Sequence, residues 1–503
     1  MLMSLCIGQY NVADAQGIIR RYDAWGGLQP ESGFGIETTT TGYVVFLGSY
    51  YVDDTLLYTS VLTTIHLDQF GNALDTNKAF IPLKATYAGH ANVAFPLSNG
   101  GFGVGSSSND GSTGRPALFL FDPMGVSTAI LEYGVSGQYW IGRQGKQCPD
   151  GGYVICGETS SSGTSLDAFL LKIDSTGAQE WVQTFGLPNK QEYMSTVDLA
   201  PGGGYYLGGQ RDGSTPGMYD QWVLRVNASG GLIWEDTYGG PFHETNAGLT
   251  TLADGNIAFA SAIGFGPGGV ERLNLAKVDS TGALLWSYVY DGNATGSTLF
   301  VVKEVQPYGD LISAGFSYRP GYLQGALLRT NAQGDSIWMR YYNYYDSLWT
   351  EGRGAFRDVL PTADGGFIAA GTAYGSNNPN DTAIYSQDTW VVKVDSLGCL
   401  VPGCDTVTGI VSQITNYQHA LSVSPNPASS SVHIAWVLPS AFTQKGAAQL
   451  SVVNSTGALV REVGIDLSGN GYDLDVSCYA PGLYHLHLVQ DGTWITGGKV
   501  VVE

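Results

Sequence analysis

Apolar and polar residues alternate along most of this chain in short runs. Between Glu192 and Gly239 the runs are "EYMSTVDLA", "GYYLGGQRD", "QWVLRVN" and "LIWEDTYG". Each has a period of two, which predicts a β-strand with one face buried. Glycine-rich turns such as "PGGG" separate them. The stretch reads as four short strands joined by tight turns.

The same text then returns. "KIDSTGAQEWVQTFG" (Lys172 to Gly186) is followed by "RVNASGGLIWEDTYG" (Arg225 to Gly239), "KVDSTGALLWSYVY" (Lys277 to Tyr290) and "RTNAQGDSIWMRYY" (Arg329 to Tyr342). Aligned on the turn glycine, the copies fall at Gly71, Gly125, Gly177, Gly230, Gly282, Gly334 and Gly398, with gaps of 54, 52, 53, 52, 52 and 64 residues. A strand-rich unit repeating near every 50 residues is the signature of a β-propeller, each copy being one blade that must stack on its neighbours.

Three residues before each glycine stands Asp68, Asp122, Asp174, Asn227, Asp279, Asn331 or Asp395. Asp and Asn accept hydrogen bonds from the backbone two residues on, and the glycine supplies the positive φ that closes the hairpin. These side chains shape turns; free exchange of Asn for Asp argues against a catalytic or calcium-binding role. Trp181, Trp234, Trp286 and Trp338 recur four residues after the glycine, as packing residues between blades would.

The seventh copy, "DTWVVKVDSLG", lacks its fourth strand and runs into "CLVPGCD". The segment "GIIRRYDAWGG" (Gly17 to Gly27) resembles the missing strand. Pairing Ile18 to Tyr22 with Thr389 to Val394 closes the ring and leaves no open sheet edge. The fold class expected is all-β: a seven-bladed propeller closed by its N-terminal strand, followed by a small Ig-like sandwich. The repeats resemble those of seven-bladed propellers in secreted bacterial proteins, through the pattern "GGY…G.T…D.W..K.D..G…W…YG" over residues 16–404; the resemblance implies a fold and no activity.

After Cys404 the period breaks. Residues 405–420 read as a linker, and residues 421–503 carry short strands such as "SVHIAWV", "AQLSVVN" and "YHLHLV", a small β-sandwich. This segment is similar to the C-terminal sorting domain of the type IX secretion system. The matching residues are Pro425, Asn426 and Pro427, "VVNSTGALV", "APGLYHLHL" and the terminal "GGKVVVE" with Lys499. The resemblance implies partners in the translocon and a sortase, removal of the domain, and release or attachment at the cell surface. At the other end, residues 1–15 read as the remnant of a signal peptide, from a short apolar run and the small-x-small stretch Ala13-Asp14-Ala15.

Composition narrows the partners. The chain has 44 acidic and 23 basic residues, a net charge of −21, which repels nucleic acid and anionic membranes. No apolar run approaches the roughly 18 residues of a spanning helix, and a monomer is expected. Cys399 and Cys404 are spaced for a small disulfide loop, and Cys148 and Cys156 flank a turn and form a second candidate pair; the sequence secures neither bond.

Catalytic and metal motifs do not emerge. His243-Glu244 begins a zincin-like string that Ala247 breaks, "DGNATG" (Asp291 to Gly296) starts a calcium-like loop that Val302 leaves unclosed, and His485 and His487 read as residues of a strand near the sheet edge. No cofactor, metal site or catalytic residue is assigned. Acids in the first-strand regions, Glu192, Asp198, Glu244, Glu304, Glu351 and Asp358, are what a propeller hydrolase of polysaccharide or glycoconjugate would draw on. The favoured expectation is a non-catalytic binding or adhesive protein, outside the cell or at its surface, with a glycan or protein ligand. The long loops after Tyr342 and Ala373 place Tyr344, Tyr345, Trp349, Tyr374 and Tyr385 around one candidate ligand patch.

Overall fold

The computed structural model describes residues 17–22, 30–52, 58–111, 113–134, 138–160, 165–213, 218–245, 247–265, 270–291, 294, 296–319, 322–345, 353–374, 387–400, 413–414, 416–417, 421–438, 443–444, 446–455, 457–491 and 493–503. The signal-peptide reading at residues 1–15 lies outside them. No helix among the described residues is long and apolar enough to cross a membrane.

Seven antiparallel sheets form in chain order. Blade 1 starts at Glu31–Thr38, blade 3 at Tyr139–Gln147, blade 4 at Glu192–Leu199, blade 5 at Gly248–Thr251, blade 6 at Gly296–Val305 and blade 7 at Arg353–Pro361. Blade 2 has a split first strand, Ala85–Tyr87 and Ala94–Pro96, both parts pairing with Phe102–Asn109. Blade 7 takes its fourth strand from the N-terminus: Ile18 faces Lys393, Arg20 faces Val391 and Tyr22 faces Thr389.

The expected turn chemistry is present. Asp174 Oδ1 accepts the N–H groups of Thr176 and Ala178, and Asn227 Oδ1 those of Ser229 and Gly231. The following glycines take φ of +90° and +82°, where a side chain would be strained.

The propeller has no single core. Seven clusters of buried apolar residues fill the seven seams, for example Val154, Leu170, Met194 and Leu207 between blades 3 and 4, and Tyr22, Ile36, Val45 and Val391 between blades 7 and 1. The repeated tryptophans sit in these seams, Trp234 beside Tyr206 and donating to the carbonyl of Ser280, and Trp338 donating to that of Ser396.

The tail forms a five-stranded and a three-stranded sheet around Val432, Ile434, Leu450, Leu474, Leu486 and Val500. Part of the segment read as a linker is paired. Gln413–Ile414 adds to Thr493–Val502, and Asn416–Tyr417 runs parallel to Tyr344–Tyr345 of the propeller. The buried cluster between blades 6 and 7 continues into the tail through Val453, Val489 and Trp494.

Cys148 and Cys156 are both buried free thiols, so the second candidate pair does not form: they face opposite strands across a turn, out of bonding register. Cys399 is disulfide-bonded; its partner is outside the described residues. His485 and His487 lie on Gly482–Gln490, an inner strand flanked on both sides, and not near an edge. Both are buried, and Trp494 Nε1 donates to His487 Nδ1 at 3.0 Å.

Candidate functional site

The site is built by an irregularity in the innermost strands. In blades 1, 3, 4, 6 and 7 the register with the second strand slips at one residue, leaving Phe34, Arg143, Ser195, Phe300 and Arg357 unpaired. These are β-bulges, which bend a strand and re-aim side chains. Opposite four of them stand Gly157, Gly209, Gly315 and Gly371, where a Cβ would collide with the carbonyl oxygens of Ile141, Tyr193, Thr298 and Ala355. Glycine is required there because two backbones approach each other, not for its φ.

In blades 3, 4 and 7 the side chain of the residue after the bulge ties the blade to the next. Gln144 Oε1 accepts Val197 N–H at 2.8 Å, Thr196 Oγ1 accepts Leu249 N–H at 3.2 Å, and Asp358 Oδ2 accepts Ile36 N–H at 3.1 Å. The third residue after the bulge forms a polar belt: Glu37, Lys146, Asp198 and Lys303. Lys146 pairs with Asp198 at 3.2 Å. Against the opposing pull of burial, Lys146 and the Thr251 N–H hold the Asp198 carboxylate below its usual range. Burial pushes the Glu37 carboxyl up to about 7, with Lys303 pulling the other way.

Blade 2 supplies a plug. Between the halves of its split strand, residues 88–93 cross the axis of the ring. Asn92 Oδ1 accepts from Lys303 Nζ at 2.6 Å, its carbonyl accepts from Gln144 Nε2 at 2.6 Å, and its N–H donates to the Arg357 carbonyl at 3.1 Å. One short loop thus touches blades 3, 6 and 7. A cavity of about 140 Å³ adjoins it, walled by His90, Ser195, Thr196, Gln210, Thr245 and Phe300. Its walls are hydroxyls, an amide and rings. Burial, then Arg357 and Arg143, push the His90 imidazole down to about 3, so it is neutral at ordinary pH.

The acids singled out from sequence do not converge on this cavity. Asp358 and Asp198 are bound to backbone N–H groups. Glu304 accepts Ala253 N–H at 2.9 Å. Glu192 lies near Arg211, 3.4 Å away, and Glu244 shares a hydrogen bond with Asp220 at the seam of blades 4 and 5. Glu351 lies outside the described residues. Sequence reasoning missed the plug and the bulge residues; a gap in the strand pattern at "YAGHANV" (Tyr87 to Val93) was the available signal.

The aromatic patch fares differently residue by residue. Tyr344 is buried, in the cluster shared with Val453, Val489 and Trp494 of the tail, and so does not line an open face. Tyr374 is half-buried and hydrogen-bonds the Arg357 side chain. The Tyr345 side chain, Trp349 and Tyr385 lie outside the described residues. Among the described residues no cluster of His, Cys, Asp and Glu is arranged to hold a metal.

Blades, seams and plug define a seven-bladed β-propeller with a β-sandwich docked against its last two blades. Residues 422–503 match the family described as the secretion system C-terminal sorting domain. The chain therefore carries a type IX sorting tail and is exported, to the cell surface or beyond. In that tail Asn426 brackets the last strand, its Nδ2 donating to the Lys499 carbonyl and its Oδ1 accepting Val501 N–H, both at 2.9 Å. No curated protein matches the sequence.

Solved structures with a similar course include the β-propeller domain of the Trilobed protease from Pyrococcus furiosus, 9% identical over 71% of this chain and 95% of that one, TM-score 0.37. Others are an acylaminoacyl peptidase from Pyrococcus horikoshii, 8% identical over 80% and 57%, TM-score 0.40, and a GH32 β-fructofuranosidase from Bombyx mori, 12% identical over 75% and 92%, TM-score 0.32. The strand pairing itself carries the fold assignment.

Proposed function

We propose that this is an exported binding protein whose propeller takes a polar group of an extracellular ligand into the plugged channel mouth without turning it over. One observation carries the reading: Asp198 and Asp358, the channel acids a hydrolase would need, are consumed by backbone N–H groups and Lys146, while the cavity walls are neutral donors, acceptors and rings. Such walls suit a hydroxyl-rich group. A volume of about 140 Å³ admits the end of a ligand and not a whole chain.

A hydrolase of polysaccharide or glycoconjugate is the second reading, favoured by Glu37, a buried carboxyl that titrates near 7 as a general acid does. Exposing the full-length protein to a glycan array, then assaying every hit for hydrolysis, separates the two. Binding without turnover supports the first. Turnover that disappears in Glu37→Gln supports the second.

The sorting tail is handled by the type IX translocon and removed by a sortase at the surface. Intact-mass measurement on native extracellular protein tests this, and a retained tail counts against it. Removal would break up the buried cluster that Tyr342 and Tyr344 share with Val453, Val489 and Trp494.

A further inference from the structure

Each blade ends in a fourth strand that is the last of its sheet, and such an edge is a template for pairing with another chain unless a charge guards it. Six of the seven carry one: Arg20 in blade 7, Lys78 in blade 1, Glu132 in blade 2, Glu180 in blade 3, Glu235 in blade 4 and Arg340 in blade 6. Blade 5 is the exception. Its fourth strand, Leu284–Val289, reads LLWSYV and has no charge. Leu284, Leu285, Tyr288 and Val289 are 40 to 53% exposed, and among the described residues the strand pairs only with Val270–Val278.

The backbone sets which residues look outward. Tyr290 N–H donates to the Leu273 carbonyl at 2.9 Å, and hydrogen-bonded positions alternate along an antiparallel pair, so Tyr288 and Trp286 turn their peptide groups inward to Leu275 and Lys277. Ser287 and Val289 turn theirs out. A partner strand centred on Ser287 therefore finds free peptide groups, and a second copy of this strand placed there meets itself in a matching order. Trp286 falls opposite Tyr288 of the other copy, Ser287 opposite its own equivalent, and the two leucines lie beside the other copy's Val289. Aromatic meets aromatic and aliphatic meets aliphatic, the cross-strand pairs that stabilise a sheet. On the other six edges self-pairing would carry the same charges into the joint sheet from both copies.

We propose that two copies of this protein pair through the outer strand of blade 5, Leu284–Val289 running antiparallel to itself about a two-fold axis at Ser287. The contact is isologous and replaces the monomer expected from the sequence. It lies on the rim, away from the plug, and does not depend on the ligand reading. The exposed side chains offer on the order of 400 Å² of apolar surface per copy, a patch of the size that marks a contact site. Two copies bury roughly 800 Å² of it together, below a standard interface, so the pair is weak and depends on concentration.

The test is sedimentation velocity of the full-length protein between about 2 and 200 µM, the range in which weak pairs assemble; the average mass is expected to rise toward that of a dimer. Val289→Lys puts an ammonium into the shared apolar edge and should weaken association at least about tenfold. Adding Leu285→Glu to it should restore association, because the two new charges have opposite sign and meet across the axis. Both side chains are half-exposed, so melting should not change; if Val289→Lys melts early, Leu285→Lys must produce the same loss instead. Thr184→Lys, at an exposed position on the fourth strand of blade 3, controls for net charge and should leave association as it was. A monomer at every concentration overturns the proposal and leaves the edge to a strand of some other protein. A dimer untouched by Val289→Lys overturns it by placing the contact elsewhere, and a loss that Leu285→Glu fails to restore overturns the antiparallel pairing and the proposal with it.

Discussion

The hydroxyl of Tyr22 donates to the carbonyl of Gly71 at 2.7 Å, joining the first strand of the chain to the outer turn of blade 1. Tyr133 makes the same bond to Gly177, Tyr238 to Gly282, Tyr290 to Gly334 and Tyr342 to Gly398, at 2.5 to 3.0 Å. At all five seams a tyrosine ending the fourth strand of one blade meets the turn glycine of the next. The closing seam is therefore chemically the same as the internal ones. Tyr22→Phe and Tyr238→Phe should each cost about 1 kcal/mol, measured by chemical denaturation. A closing bond that costs nothing while the internal one does would contradict this equivalence. Deleting residues through Tyr22 should leave the third strand of blade 7 as an open edge and yield oligomers on size exclusion.

Gly209→Ala should destabilise by about 2 kcal/mol or more, since the added methyl meets the Tyr193 carbonyl across two fixed strands. Gly464→Ala, at a position with open space around it, should change stability by less than about 0.5 kcal/mol. Equal effects would mean that the bulge relaxes freely.

Two carboxyls give a signed pH dependence. Glu37 and Glu244 are each pushed up to about 7, by burial first, with Asp220 adding to the effect at Glu244. Unfolded, both titrate near about 4.3. Between those values the folded chain holds protons that the unfolded chain has released, so stability falls as pH rises from about 4.5 to 7 and levels off above. Glu244→Gln should flatten part of this slope, raising stability above pH 7 by on the order of 2 kcal/mol and changing it little near pH 4.5. Melting curves across that range would show the opposite slope if these carboxylates were ion-paired.

Asn426→Ala removes both bonds to the last strand. Amide exchange at Lys499 to Val501 in the full-length protein should accelerate by about tenfold or more, with propeller amides unaffected. Unchanged exchange would show that Ala428, which also pairs with Val501 and Glu503, holds the strand alone.

The sequence made the blades legible because each turn is chemically local: Asp174 bonds to residues two and four positions on, and a period-two strand declares its buried face. Closure was legible for the same reason, since Ile18 to Tyr22 carries the signature of a fourth strand. The site was not. Asn92 and Arg357 are brought together by a ring whose neighbours lie hundreds of residues apart, and a bulge adds a residue without changing composition. Tyr344 was read as a loop residue because its loop is long; the surface that buries it belongs to the tail, and no local pattern records docking between domains.

The strand exchange at blade 7 also fixes when the protein can become whole. The earliest strand of the chain must wait for Thr389 to Lys393, so a chain growing or emerging from its N-terminus can assemble six blades yet remain an open arc. The entropy of joining ends so far apart is modest, since loop closure grows only with the logarithm of length: a span roughly seven times one blade costs about 2 kcal/mol more than a single blade does. The delay is therefore one of order and not of effort, and it makes the last blade the step at which an arc with two exposed end faces becomes a ring with none.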